Sequence, residues 1–138
     1  HFLALQQLRF PNLFEYTIHV DASVDQHVQI PKMLIQHYAD NAVKHGLRPQ
    51  GKTGTLDIDI RTSRSGIKIR IADNGTGMRA SRKHRDAESI GKGEELSDML
   101  MKLYNDLSGN SVKKEVEDLV SEEGNVAGTV VFLSVSST

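Results

Sequence analysis

Three runs of two-residue alternation constrain this chain more than any other feature. Leu56, Ile58 and Ile60 alternate with Asp57, Asp59 and Arg61, and Ile67, Ile69 and Ile71 alternate with Lys68 and Arg70. Gly128 to Val135 alternates as strongly. Successive side chains of a strand point to opposite faces, so each run is a strand with one apolar face. Ser63-Arg64-Ser65-Gly66 joins the first two as a hairpin. A fourth strand is expected where Phe14, Tyr16, Ile18 and Val20 alternate with Glu15, Thr17 and His19. A looser one covers Val112 to Val120, followed by a turn at Glu122-Glu123-Gly124-Asn125.

Two segments follow the helical period instead. From Pro31 to His45, Leu34, Ile35, Tyr38, Ala39, Ala42 and Val43 share one face, and His37, Asp40, Asn41 and Lys44 share another. Pro31 suits the first turn and Gly46 the C-terminal stop. Leu96, Met99, Leu100, Leu103 and Leu107 mark a second helix ending near Gly109. The stretch between the strands and this helix, Met78 to Lys92, is polar, basic and weakly periodic, too long for a plain turn, and reads as a functional loop or a mobile one. The order is strand, helix, hairpin, loop, helix, hairpin. Hairpins with helices packed on one face give an α+β, two-layer α/β sandwich.

Composition narrows the function. A chain of 138 residues suits one domain, and 38% hydrophobic residues with 11 glycines provide an ordinary globular core. Lys+Arg 17 against Asp+Glu 18 gives a formal charge of -1, which argues against a nucleic-acid binder needing a basic surface. The absence of cysteine excludes disulfides, thiolate catalysis and cysteine metal sites within this chain. No run reaches the ~18 apolar residues that a membrane span requires. His1 to Phe10, with Leu3, Leu5 and Leu8, reads as the end of a helix belonging to something longer.

Four polar constellations stand out. On the first helix, Asp40 and Lys44, His37 and Asn41, and Asn41 and His45 are each four apart and therefore surface neighbours. They form either a solvated face or an anion and Mg²⁺ site, where an Asn carbonyl oxygen is a hard ligand and Lys44 and His45 offset phosphate charge. Zinc is disfavoured, because His37 and His45 are eight apart and there is no H-E-x-x-H run. Asp73-Asn74-Gly75-Thr76-Gly77 ends a strand, where glycines admit close approach and an Asp can accept a hydrogen bond from an exocyclic amine. It lacks the further acidic positions of a calcium loop. Gly91-Lys92-Gly93 is expected to open the second helix, whose N-terminal amides favour anions. It is not a P-loop, because no G-x-x-x-x-G-K-[ST] run exists. Arg79, Arg82, Lys83, His84 and Arg85 make a basic cluster.

The order and spacing of these segments carry a resemblance. Ile30-Pro31-Lys32-Met33-Leu34-Ile35-Gln36 followed by Asp40-Asn41-Ala42-Val43-Lys44-His45-Gly46 resembles the N box of sensor histidine kinases in the GHKL ATPase superfamily. Asp73-Asn74-Gly75-Thr76-Gly77-Met78 resembles their G1 box, Gly91-Lys92-Gly93 their G2 region, and Gly128-Thr129 their closing Gly-Thr pair. Arg9-Phe10 ahead of a short strand is similar to the LytS/YehU-like branch.

The resemblance implies a mixed sheet with helices on one face, and residues 11–138 as an ATP-binding catalytic domain behind a helix end at 1–10. It implies Mg²⁺ on Asn41, Lys44 and His45 near phosphate, and Asp40 as the catalytic base or positioning group. Asp73 would bind the adenine amine, in a pocket shaped by Gly75, Gly77 and Met78 and backed by Thr129. Gly91, Lys92 and Gly93 would frame a lid over the phosphates.

The implied activity is that of a protein histidine kinase with ATP and Mg²⁺. Its partners would be its own dimerisation and phosphoacceptor domain, then a response regulator. It would form the cytoplasmic part of a membrane-anchored bacterial sensor, touching neither nucleic acid nor membrane itself. The phosphoacceptor sequence L-N-P-H-F-L-F-N is absent from this chain. Two departures bear on turnover: Asp40 stands where the family usually has Glu, and Glu94-Glu95 replaces an apolar-Gly pair. They open the alternative of an impaired nucleotide-binding or interaction module. A third reading is an anti-sigma-type serine kinase.

Overall fold

The computed structural model describes residues 14–24, 30–47, 54–64, 66–75 and 87–136, with backbone alone described at 45, 46 and 87–93. The expected helix end at 1–10, the basic cluster at 79–85, and Gly77 and Met78 lie outside those residues. The elements in order are β1 (Phe14–Val20), α1 (Lys32–Asn41) running into a π-helical turn (Ala42–Leu47), β2 (Gly54–Ser63), β3 (Gly66–Asp73), α2 (Ala87–Ser108), β4 (Ser111–Val120) and β5 (Val126–Ser136).

The five strands form one sheet in the order β1-β2-β3-β5-β4. β1 pairs parallel to β2 and the other three pairings are antiparallel, so the sheet is mixed. The register aligns Ile58 with Ile71, Ile71 with Val131 and Val131 with Val116, and the next row aligns Ile60, Ile69, Leu133 and Lys114. Period two therefore stacks the isoleucines of both hairpin strands on one face, where they are buried with Leu133 and Val135. Both helices lie on that face. Leu34, Tyr38, Ala39, Ala42 and Val43 of α1 and its π turn join the same core cluster.

The first helix departs from expectation at its end. The chain does not stop at Gly46 but widens into π geometry through Leu47. Val43 and Leu47 are both fully buried, so the wider turn keeps two side chains four apart anchored in the core. π turns are rare and concentrate at functional sites.

The second helix departs more. It begins at Ala87, so Gly91-Lys92-Gly93 lies inside it rather than at its N-terminus. The backbone amides of those three residues sit beyond the unbonded first turn, and the anion site expected from a helix start is not formed by them here. Glycines usually flank helices, which is why the sequence pattern placed the start too late. Inside a helix each glycine costs about 1 kcal/mol relative to Ala, so this is a weak opening segment. Most of the apolar stripe of α2 also looks outward, with Met99 68% and Leu107 75% exposed, while Leu100 of that stripe faces the core together with Ser97, Met101 and Tyr104. α2 ends as expected at Gly109, whose φ of 74° suits the left-handed stop and whose amide donates to the Asn105 carbonyl at 3.0 Å.

One glycine fixes the end of the sheet. Gly128 has φ 145°, and a Cβ there would lie 1.9 Å from the Asp73 carbonyl oxygen. Gly128→Ala should therefore destabilise the fold by on the order of 3 kcal/mol, from backbone strain plus displacement of β3. Chemical denaturation of both proteins measures it.

Candidate functional site

β3 continues its core stripe one step beyond the isoleucines. Ile67, Ile69 and Ile71 are followed on the same face by Asp73, which the register places between Leu56 and Thr129, with Asp118 next to Thr129. A carboxylate thus occupies a core position and is only 7% exposed. The Gly75 amide donates to Asp73 Oδ1 at 2.8 Å, and the Thr129 amide also bonds the carboxylate. Burial outweighs both amides and pushes the Asp73 pKa up to about 6, with the negative charge of Asp118 adding to the rise. Asn74 holds the following turn to β2: its Oδ1 accepts from the Thr55 amide at 2.7 Å, and its own amide donates to the Thr55 carbonyl at 3.3 Å. Gly75 is buried beside Asp73.

The second cluster lies at the end of α1. Asp40 and Asn41 are partly buried, and Lys44 is exposed. Lys44 Nζ is 2.9 Å from Asp40 Oδ2, an i,i+4 ion pair. Asn41 Nδ2 is 3.4 Å from His37 Nε2, and the His37 ring packs edge-on against Tyr38. His45 lies in the π turn just beyond. α1 and the π turn both pack against β3, so the two clusters are carried by elements of one layered unit.

Of the expected site residues, Asp40, Asn41 and Lys44 come together on the helix, and Asp73, Gly75 and Thr129 come together at the strand end. Gly91, Lys92 and Gly93 are found within α2. The sequence marks His37 as a neighbour of Asn41 and assigns it no role. Asn74, whose side chain braces the turn, and Ser97, a serine on the core-facing side of α2, carry no local signal of their positions.

The donor chemistry fits a shared cation better than a resident one. Among the described residues there is no group of three or more His, Cys, Asp or Glu able to hold a metal alone. Mg²⁺ commonly takes one or two protein oxygens and completes its shell with waters and substrate phosphates. One Asn amide with an adjacent Asp matches that demand.

Solved structures share this architecture. The histidine kinase domain of a blue-light activated histidine kinase from Erythrobacter litoralis superposes on 98% of this chain and 60% of its own, with TM-score 0.63 at 13% identity. The mycobacterial sensor histidine kinase MprB covers 98% of this chain and 88% of its own, with TM-score 0.60 at 16% identity. The fold is that of these histidine kinase domains. In sequence it is similar to part of several sensor proteins. Sensor protein LytS of Staphylococcus haemolyticus is 35% identical over 77 residues, and sensor histidine kinase YesM of Bacillus subtilis 31% over 78. Each match covers 56% of this chain and 13% of the relative. The matched part of this chain thus spans a small part of the length of the proteins it matches. No family model matches it.

The raised Asp73 pKa makes stability depend on pH. Because the folded value lies above 3.8, the protonated form favours the folded state. That stabilisation is complete below the unfolded value and is lost as pH rises through about 6. The stability difference between the unliganded protein and Asp73→Asn should therefore shift by on the order of 2–3 kcal/mol between pH 4 and pH 7.5. Urea unfolding of both proteins at the two pH values checks this.

Proposed function

We propose that this domain binds ATP with Mg²⁺ and, within a longer protein, donates the γ-phosphoryl group to a histidine on a separate dimerisation domain. The observation that carries the reading is the buried Asp73 carboxylate at the core-facing end of β3. An ionisable group is expensive there unless a ligand uses it. The adenine amine is a suitable donor to it, with Gly75, Gly77 and Met78 shaping the pocket and Thr129 behind.

Asn41 supplies the protein oxygen for Mg²⁺. Its amide nitrogen is engaged by His37, so Oδ1 is the atom for the cation. The cation, when bound, neutralises phosphate charge and holds the phosphates in position for transfer. Lys44 adds positive charge beside Asn41, and His45 of the π turn is a further candidate for the phosphates. Asp40 orients the incoming histidine or accepts its proton. Gly91, Lys92 and Gly93 lie in the weak opening of α2 and form the part able to rearrange over phosphate. The receiving domain, the response regulator, and placement on the cytoplasmic side of a membrane-anchored sensor belong to this same reading. No helix among the described residues is long and apolar enough to cross a membrane.

A second reading, a nucleotide-binding module with impaired transfer, is favoured by the Asp40–Lys44 pair. Asp is one methylene shorter than Glu, and the lysine draws its carboxylate along the helix. Phosphoryl transfer depends on positioning, and ~1 Å can cost on the order of 100-fold in rate.

Two measurements test these readings. ADP or ATP with Mg²⁺ at about 100 times its dissociation constant should stabilise the domain by about 2.7 kcal/mol, which raises Tm by roughly 8 °C. Asp73→Asn and Asn41→Ala should each abolish the shift, and an unshifted wild-type melt at millimolar nucleotide would refute ATP binding. In the full-length protein, Asp40→Glu should raise the phosphohistidine formation rate by about tenfold. A wild-type rate already equal to that of the variant removes the second reading.

A further inference from the structure

The core holds one polar junction that neither cluster explains. Ser97 of α2 is 2% exposed. Its Oγ lies 2.5 Å from the Tyr38 hydroxyl on α1 and accepts from Lys114 Nζ on β4 at 3.3 Å. Lys114 also lies 3.9 Å from Asp98. Three elements therefore meet at a single serine oxygen.

The position of this junction gives it a consequence. Tyr38 is three residues before Asn41, and Ser97 is four residues after Gly93. At 1.5 Å rise per residue, the junction lies roughly 4.5 Å along α1 from the amide assigned to the cation and roughly 6 Å along α2 from the glycine stretch. Among the described residues of α2, Leu96, Met99, Leu103 and Leu107 face outward, Leu100, Met101 and Tyr104 pack partly against the core, and Asn105 Oδ1 accepts from the Val112 amide of β4 at 3.2 Å near the other end of the helix. The Ser97–Tyr38 bond ties α2 directly to α1, and the Asn105 bond ties it to β4. A buried hydroxyl that loses its partner is costly, so the contact is geometrically demanding.

We infer that Tyr38 and Ser97 are positioning residues: their buried hydrogen bond sets the distance between the Asn41 end of α1 and the glycine stretch of α2, and so governs affinity for the phosphates rather than for the purine. This rests on the proposed ATP-binding function. Asp73 lies on β3 outside the junction, so the purine end is held independently of it.

The experiment compares binding of Mg²⁺–ADP and of adenosine, by calorimetry and ligand-observed NMR, to the full chain and to Tyr38→Phe, Ser97→Ala and the double variant. Melting curves confirm that each is folded. The single variants should each bind Mg²⁺–ADP about fivefold to tenfold more weakly, with adenosine unchanged, and the double variant should be no worse than the weaker single. Equal losses for ADP and adenosine would mean that the junction only supports the fold, and unchanged ADP binding would mean that it positions nothing. Either overturns the inference while leaving ATP binding intact. Failure of the unaltered protein to bind either ligand overturns the ATP-binding reading and the inference together. Because the variants remove different atoms of one bond, misfolding of one still leaves the other to decide.

Discussion

A carboxylate occupies the last core-facing position of β3, and the end of the sheet is organised around the cost of keeping it there. Asp73 follows three isoleucines on the same face and receives the amides of Gly75 and Thr129. Those amides offset only part of the desolvation, so the group stays hard to ionise. The surroundings allow no easy relaxation. Asn74 pins the following turn to β2, and the backbone of Gly128 presses against the Asp73 carbonyl where any side chain would collide.

The first helix solves a related problem by different means. Its polar face carries Asp40, Asn41 and Lys44, while its other face is locked in the core. The shift to π geometry after Asn41 keeps Val43 and Leu47 buried on either side of the stretch that carries Lys44 and His45. The hydrophobic layer beneath, made by Ile69, Ile71 and Leu133 with Leu34 and Ala39, ties this helix to the strand bearing Asp73. The two polar clusters are thereby held by one packed core rather than by loops.

Much of this was legible from the residues. Period-two isoleucines specified the central strands, and extending that period by one step places Asp73 on the buried face. The i,i+4 relations on α1 predicted the Asp40–Lys44 contact and the His37–Asn41 contact. The second helix was harder to read. Two glycines concealed its true start, because local propensity disfavours them where the tertiary structure nonetheless winds helix. Its inward face was masked by a richer apolar stripe one residue away. The Tyr38–Ser97–Lys114 junction joins residues up to 76 positions apart in sequence, and no local pattern announces such a meeting. The parallel pairing of β1 with β2 is likewise a consequence of topology.

Among the described residues the sheet has two borders, and they are guarded unequally. β4 forms one border and carries Lys113, Lys114, Glu115, Glu117 and Asp118 along its length, so a second chain approaching to extend the ladder meets dense charge of both signs. β1 forms the other, and it offers Tyr16, Ile18 and Val20 with Glu15 as its lone acid. Ile18 and Val20 are substantially exposed there. A chain with this asymmetry has its self-association hazard concentrated on one flank, and solubility engineering would begin with charge on β1 and leave β4 as it is.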